Sequence, residues 1–302
     1  MQLEYHCLKG VDFKGHEMEV FRTVAEVQEK CEQIRFSGKS LAFVPTMGFF
    51  HQGHLELMKA ARKIADKVII SIFVNPTQFG PTEDFETYPR DTEGDLVKAR
   101  EVGVDIAFVP SVEEIYPEGF QTMVKVQRVT QHLCGLSRPG HFDGVTTVVA
   151  KLFNITKPHV AVFGQKDYQQ LTVITRMVKD LNFDIKIVGV PTVREPDGLA
   201  MSSRNSYLTP QQRKSALCLK KSLDLATEMV SRGERKADEI KRAVQELILN
   251  HPFTKIDYVS VCDPVTLEDV DVLRGNTLLA LAVRVGKTRL IDNCILSPSG
   301  PE

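Results

Sequence analysis

The chain has 302 residues, 42% of them apolar, and a formal net charge of −1; that length suits one large domain plus a smaller one, with a sizeable core. The balance lacks the basic excess or stripe of a protein built to hold nucleic acid, and the Lys/Arg cluster from Arg232 to Arg242 is interrupted by Glu and Asp. No apolar run approaches a bilayer-spanning length and no signal-peptide stretch opens the chain, so a soluble, cytoplasmic protein is expected, with neither nucleic acid nor membrane as partner.

Residues 1–17 carry little pattern and read as an extension before Met18. From there, Val-, Ile- and Phe-rich runs at 41–44, 68–74, 106–109, 159–163 and 185–190 alternate with helical patterns at 24–36, 54–66, 93–102, 144–156 and 168–181. This alternation predicts an α/β fold, a Rossmann-like doubly wound parallel sheet covered on both faces. Beyond about 190 the texture changes. A polar Pro- and Gly-containing stretch (193–207) leads to helical patterns near 210–232 and 236–250, then apolar runs at 256–262, 277–285 and 288–295. We expect a catalytic nucleotide-binding domain over 18–190 and a small α+β lid domain with an antiparallel sheet over 191–302. The six cysteines (7, 31, 134, 218, 262 and 294) form no Cys-x-x-Cys pair, which argues against zinc and against a disulfide framework.

In parallel sheets, ligands bind beyond the carboxyl ends of the strands. The unusual clusters of this sequence lie at those ends: Pro45-Thr46-Met47-Gly48 after the first run, Asn75-Pro76-Thr77-Gln78 after the second, Gly164-Gln165-Lys166-Asp167 after the fourth, and Pro191-Thr192-Val193-Arg194 after the fifth. That shared position predicts one common site. Most informative is His51-Gln52-Gly53-His54, placed where a helix should begin, since the opening turn of a helix offers unpaired N–H groups and the positive dipole end to an anion. Phosphate is the leading candidate. On the residues alone, two solvated loop histidines remain the other reading. Similarly, Met201-Ser202-Ser203-Arg204 suits either a loop closing over phosphates or an interdomain linker.

The His-x-Gly-His pattern is similar to the signature of the nucleotidylyltransferase superfamily. Its companions narrow the match: Phe-Val-Asn-Pro-Thr-Gln-Phe (73–79), Tyr-Pro-Arg (88–90), Arg-Pro-Gly-His-Phe-Asp-Gly-Val (138–145), Phe-Gly-Gln-Lys-Asp-Tyr-Gln-Gln (163–170) and Leu-Ala-Met-Ser-Ser-Arg-Asn (199–205). From Met18 to Asn293 the chain resembles the pantothenate synthetase, or pantoate–β-alanine ligase, family. The resemblance implies a homodimer that condenses (R)-pantoate with β-alanine, using ATP and forming a pantoyl adenylate. It implies an ATP site at Met47, Gly48, Phe49, Phe50, His51, Gln52, Gly53 and His54, at Gly164, Gln165, Lys166 and Asp167, at Val193, and at Met201, Ser202, Ser203 and Arg204.

It also implies catalytic roles for His54, as proton donor, and for His51, Lys166 and Arg204, with Gln78 and Gln170 binding pantoate and Gln78 bordering the β-alanine site. Magnesium should accompany ATP, with Asp95 as its protein ligand, although a first-turn helix-capping role suits Asp95 nearly as well. Gln165 stands where the family usually shows Glu. The resemblance leaves Arg138, His141 and Asp143 without a specific role. Physically, the reaction brings two anions together, a carboxylate and a triphosphate, so cationic and N–H-donating groups are the residue types it needs. Other nucleotidylyltransferases share His-x-Gly-His but are not expected to carry Asn-Pro-Thr-Gln-Phe. The acidic balance and short C-terminal part disfavour a truncated aminoacyl-tRNA synthetase. A silent nucleotide-binding relative would be expected to have lost His54, Lys166 or Arg204.

Overall fold

The structure, a computed structural model, describes residues 17–81 and 83–298; the rest of the leading segment, with Cys7, lies outside the described residues. In chain order its first part contains β1 (Glu19–Phe21), α1 (Val24–Phe36), β2 (Leu41–Thr46), α2 (Gln52–Ile64), β3 (Lys67–Ile72), α3 (Thr92–Glu101), β4 (Ile106–Phe108), α4 (Val112–Ile115), α5 (Cys134–Ser137), α6 (His141–Thr156), β5 (Val160–Gly164), α7 (Tyr168–Asp180) and β6 (Lys186–Val190). The six strands form one sheet in the order β1-β4-β3-β2-β5-β6, every pair parallel. Leu41, Ala42, Phe43 and Val44 are wholly buried, as a strand covered on both faces requires. Helices enter this framework with local signals. Thr23 caps α1 and forms a reciprocal capping box with Glu26, while Val27, Cys31 and Ile34 turn inward.

From β2 the chain builds outward to β3 and β4 on one side, then crosses to place β5 and β6 on the other. The reversal falls between β2 and β5, which pair through Ala42 with Val160 and Phe43 with Ala161. A crevice at the carboxyl ends of those strands is the place where such sheets take ligands.

Beyond β6 come α8 (Pro210–Ala216), α9 (Cys218–Ser231), α10 (Ala237–Leu249), β7 (Thr254–Cys262), β8 (Thr277–Val285) and β9 (Thr288–Leu296). The strands form an antiparallel sheet in the order β7-β8-β9. The helical pattern near 210–232 is two helices, divided at Leu217. Leu279, Leu281 and Val283 of β8 pack with Leu219, Leu223, Ile240 and Val244. Their neighbours Leu278 and Ala280 instead join the core of the larger sheet. The small sheet is therefore covered on both faces, one face by the larger unit.

Candidate active site

The turn between β2 and α2 carries two imidazoles into the helix cap. His51 is the N-cap residue: its Nδ1 accepts the Gly53 N–H at 3.1 Å, while the His51 N–H donates to His54 Nδ1 at 3.3 Å. Two histidines thus form a reciprocal capping box, a task usually given to Ser or Thr with Glu or Gln. A Cβ at position 53 would stand 2.8 Å from the His51 ring, so glycine there is what lets the imidazole fold back onto the helix.

Because both Nδ1 atoms accept, both neutral rings carry their proton on Nε2, leaving that N–H as a donor. The ring centroids lie 4.1 Å apart. Burial, then the charge of Lys166, pushes His51 down to about 4. Burial and the neighbouring His51 push His54 well below its usual value. At neutral pH the pair is uncharged, and each ring presents an Nε2–H donor.

The preceding residues hold that cap in place. Phe49 adopts φ +53°, uncommon for an aromatic residue. Its N–H and that of Phe50 each donate to Asp95 at 2.6 Å, and Lys98 Nζ donates to the Phe50 carbonyl at 3.1 Å. Asp95, expected to face a metal, is wholly buried beneath this turn and lines neither cavity described below. Burial raises its pKa against the pull of the two N–H groups. Among the described residues no three His, Cys, Asp or Glu side chains are grouped to hold a metal ion. Phe50 packs into the core, and Gln52 points outward to Glu56.

After β5, residues Gln165–Asp167 make a single 3-10 turn leading into α7. Asn293 of β9 reaches across from the small sheet and donates to the carbonyls of Gln165 and Lys166 at 3.0 and 2.8 Å. This fixes the turn that presents Lys166, whose ammonium lies 4.0 Å from Asp167. After β3, a 3-10 turn (Pro76–Gln78) presents Gln78. Its Oε1 accepts from Asn75 at 3.1 Å, and Asn75 in turn accepts from Tyr116 at 2.8 Å.

The segment after β6 is stapled. Met201 N–H donates to the Val193 carbonyl at 3.0 Å, and Arg194 pairs with Asp292 through bonds of 2.7 and 2.9 Å. Arg204 spends its guanidinium on Asp84, at 2.9 and 2.8 Å.

These turns converge on an inner cavity of about 240 Å³ at the β2–β5 crevice. Met47, His51, Gly53, His54, Gln78, Gly164, Lys166, Asp167, Gln170, Val193, Met201, Ser202, Ser203 and Arg204 line it. One wall is apolar, formed by Val145, Val148, Val149 and Leu152 of α6 with Phe73 and Phe163. A second cavity of about 810 Å³ lies towards the small sheet and shares Lys166, Asp167, Gln170, Ser202 and Arg204 with the first. Of the expected ATP-site positions, Gly48, Phe49, Phe50, Gln52 and Gln165 line neither cavity. Asn75 and Tyr88 line the inner one without having been singled out; Asn75 lay inside a quoted motif, whereas nothing in the spacing marked Asn293 or Asp84. The assembled site brings N–H donors, cations, neutral amides and an apolar wall into one cavity.

Comparison with known proteins identifies the family. The pantoate-beta-alanine ligase family model matches residues 19–295. The chain is 59% identical over 282 residues to the pantothenate synthetase of Syntrophobacter fumaroxidans, covering 93% of this chain and all of the relative. It is 56% identical over 281 residues to that of Desulfatibacillum aliphaticivorans, with the same coverage. The crystal structure of pantothenate synthetase from Thermus thermophilus superposes with a TM-score of 0.89 at 46% identity, over 93% of this chain and 100% of that one. Pantoate-beta-alanine ligase from Francisella tularensis, complexed with beta-gamma ATP and beta-alanine, gives 0.76 at 34% identity over 94% and 100%. With the family model spanning both sheets and the relatives matched along their whole length, the chain belongs to the pantoate-beta-alanine ligase family.

Proposed function

We propose that the inner cavity carries out the ATP-dependent condensation of (R)-pantoate with β-alanine through a pantoyl adenylate. A pantoate carboxylate oxygen attacks the α-phosphorus of ATP, and the bond from that phosphorus to the bridging oxygen breaks, releasing pyrophosphate. The β-alanine amine then attacks the acyl carbon; the carbon–oxygen bond to AMP breaks, and the amine proton leaves with the products or solvent. No covalent bond to the enzyme forms.

This reading rests on the imidazole capping box, with its Nε2–H donors, in one cavity with amides and an apolar wall. His51 and His54 donate to phosphate oxygens as charge develops on them, and Lys166 adds a cation. Arg204 joins when the polyphosphate competes it away from Asp84. Gln78 and Gln170 bind pantoate without stripping its carboxylate of the charge it needs as a nucleophile, and the α6 valines take the two methyl groups.

Magnesium would be held mainly by the phosphate oxygens of ATP, where it would offset their charge; both Asp95 oxygens accept backbone N–H groups. Family membership supports a homodimer and a cytoplasmic location, and no described helix is long and apolar enough to cross a membrane. Pyrophosphate release, measured with ATP, pantoate and β-alanine each omitted in turn, tests the reading. Turnover should require all three, and sustained release without pantoate would refute it.

A further inference from the structure

The turn at 138–141 has no role in the chemistry above, yet it forms a closed hydrogen-bonded chain onto Gln78. Arg138 Nε and Nη2 donate to the two carboxylate oxygens of Glu83 at 2.6 and 2.7 Å. Its Nη1 lies 3.0 Å from His141 Nε2. A guanidinium only donates, so Nε2 accepts and the neutral ring carries its proton on Nδ1. That Nδ1–H donates to the Gln78 carbonyl at 2.8 Å, and Arg138 Nη2 reaches the same oxygen at 3.3 Å. The guanidinium can only donate and the carbonyl only accept, so the direction of every bond is determined.

The side-chain end of Gln78 is equally constrained. Asn75 Nδ2 donates to the Gly144 carbonyl at 3.2 Å, and a carbonyl only accepts, which fixes the orientation of the Asn75 amide. The same Nδ2 bonds to Gln78 Oε1 at 3.1 Å, so Gln78 directs its NH2 towards Met47, 3.0 Å away, and the cavity they line. Gly144 permits the approach, because a Cβ there would overlap the Thr77 carbonyl and push α6, with His141 at its start, away from Gln78. Burial, then Arg138, drives His141 down to about 4, against the pull of the Gln78 carbonyl, Glu83 and Asp167. The chain therefore keeps its direction at neutral pH.

We propose that Glu83, Arg138 and His141 are positioning residues that hold Gln78, as a donor, in register with the imidazole pair and so set the affinity for pantoate. This rests on the reading of Gln78 as a pantoate contact.

The test is steady-state kinetics on the full-length enzyme, with thermal unfolding in parallel. His141→Ala should raise the pantoate KM about tenfold, the scale of one lost buried hydrogen bond, while the ATP KM moves less than about twofold. His141→Asn, whose amide N–H reaches the position of the ring Nδ1, should restore most of the loss, and Glu83→Gln should fall between. If His141→Ala does not fold, the Glu83→Gln and His141→Asn pair carries the same comparison. Gln78→Ala is the control. An unchanged pantoate KM there removes Gln78 from the pantoate site and the inference with it. A strong effect of Gln78→Ala beside an unchanged His141→Ala, equal shifts in both KM values, or His141→Asn no better than His141→Ala would each overturn the positioning chain while leaving the reaction assignment intact.

Discussion

At the scale of single residues, the account turns on histidines kept neutral. His51 and His141 are each pushed to about 4 and burial holds His54 well below its usual value, so below the ordinary histidine pKa the unfolded chain binds protons that the folded one refuses. Stability should therefore fall as pH drops from about 6.5 towards 4, because protons then favour the unfolded state. Urea midpoints at pH 7.5, 6 and 5 should decrease in that order, and a flat series would show that these rings titrate normally. Gln78→Glu sets a carboxylate beside pantoate and should raise the pantoate KM by about tenfold or more, with a smaller effect on ATP. Steady-state kinetics in both substrates measures it. Positions 51, 53 and 54 were legible as a turn at a helix start, which the structure places on α2 and in the cavity lining. Their capping box was not, since it depends on which ring nitrogen faces the backbone. Asp95 shows the same limit: its residue type suits a metal, and only the fold reveals the two N–H groups that occupy it.

At the scale of elements, the parallel strands and the helices between them followed from hydrophobic periodicity to within a few residues. β1 and the short helices α4 and α5 escaped because three or four residues carry too little pattern, and the break at Leu217 because no residue near it is a helix breaker. The segment after β6, expected as either a closing loop or an interdomain linker, carries the Arg194–Asp292 pair and the Met201–Val193 bond. Two side chains from outside the recognised motifs decide how these turns behave. Asn293 binds the Lys166 turn, and its replacement by Ala leaves two carbonyls without that donor. Asn293→Ala should cut kcat by about tenfold while stability falls by only about 1–3 kcal/mol; wild-type turnover would detach this contact from function. Asp84 holds Arg204. Asp84→Asn weakens that hold, so pyrophosphate should inhibit several-fold more tightly than in the parent enzyme, and Arg204→Ala should move the constant the other way. A constant unchanged in Asp84→Asn would show that the pair and the phosphates do not compete.

At the scale of the whole molecule, the candidate site lies where the strand order of the large parallel sheet reverses, with the small sheet closing its outer side. We read 18–190 as the catalytic unit and 191–302 as the part that covers it. Yet Leu278 and Ala280 belong to the core of the larger sheet, so the cover is built in and not merely tethered. Sequence texture revealed a change near 190 but not this shared packing, because the residues that make it alternate along one strand with those facing the other way. On the proposed mechanism, the β2–β5 crevice forms an acyl adenylate before the β-alanine amine is needed. Rapid-quench analysis with ATP and pantoate, and no β-alanine, tests it most directly. The account predicts a stoichiometric burst of pyrophosphate with pantoyl adenylate held on the enzyme, a burst lost in His54→Ala although the variant folds. Pyrophosphate that appears only once β-alanine is added, or a full burst in His54→Ala, would contradict it.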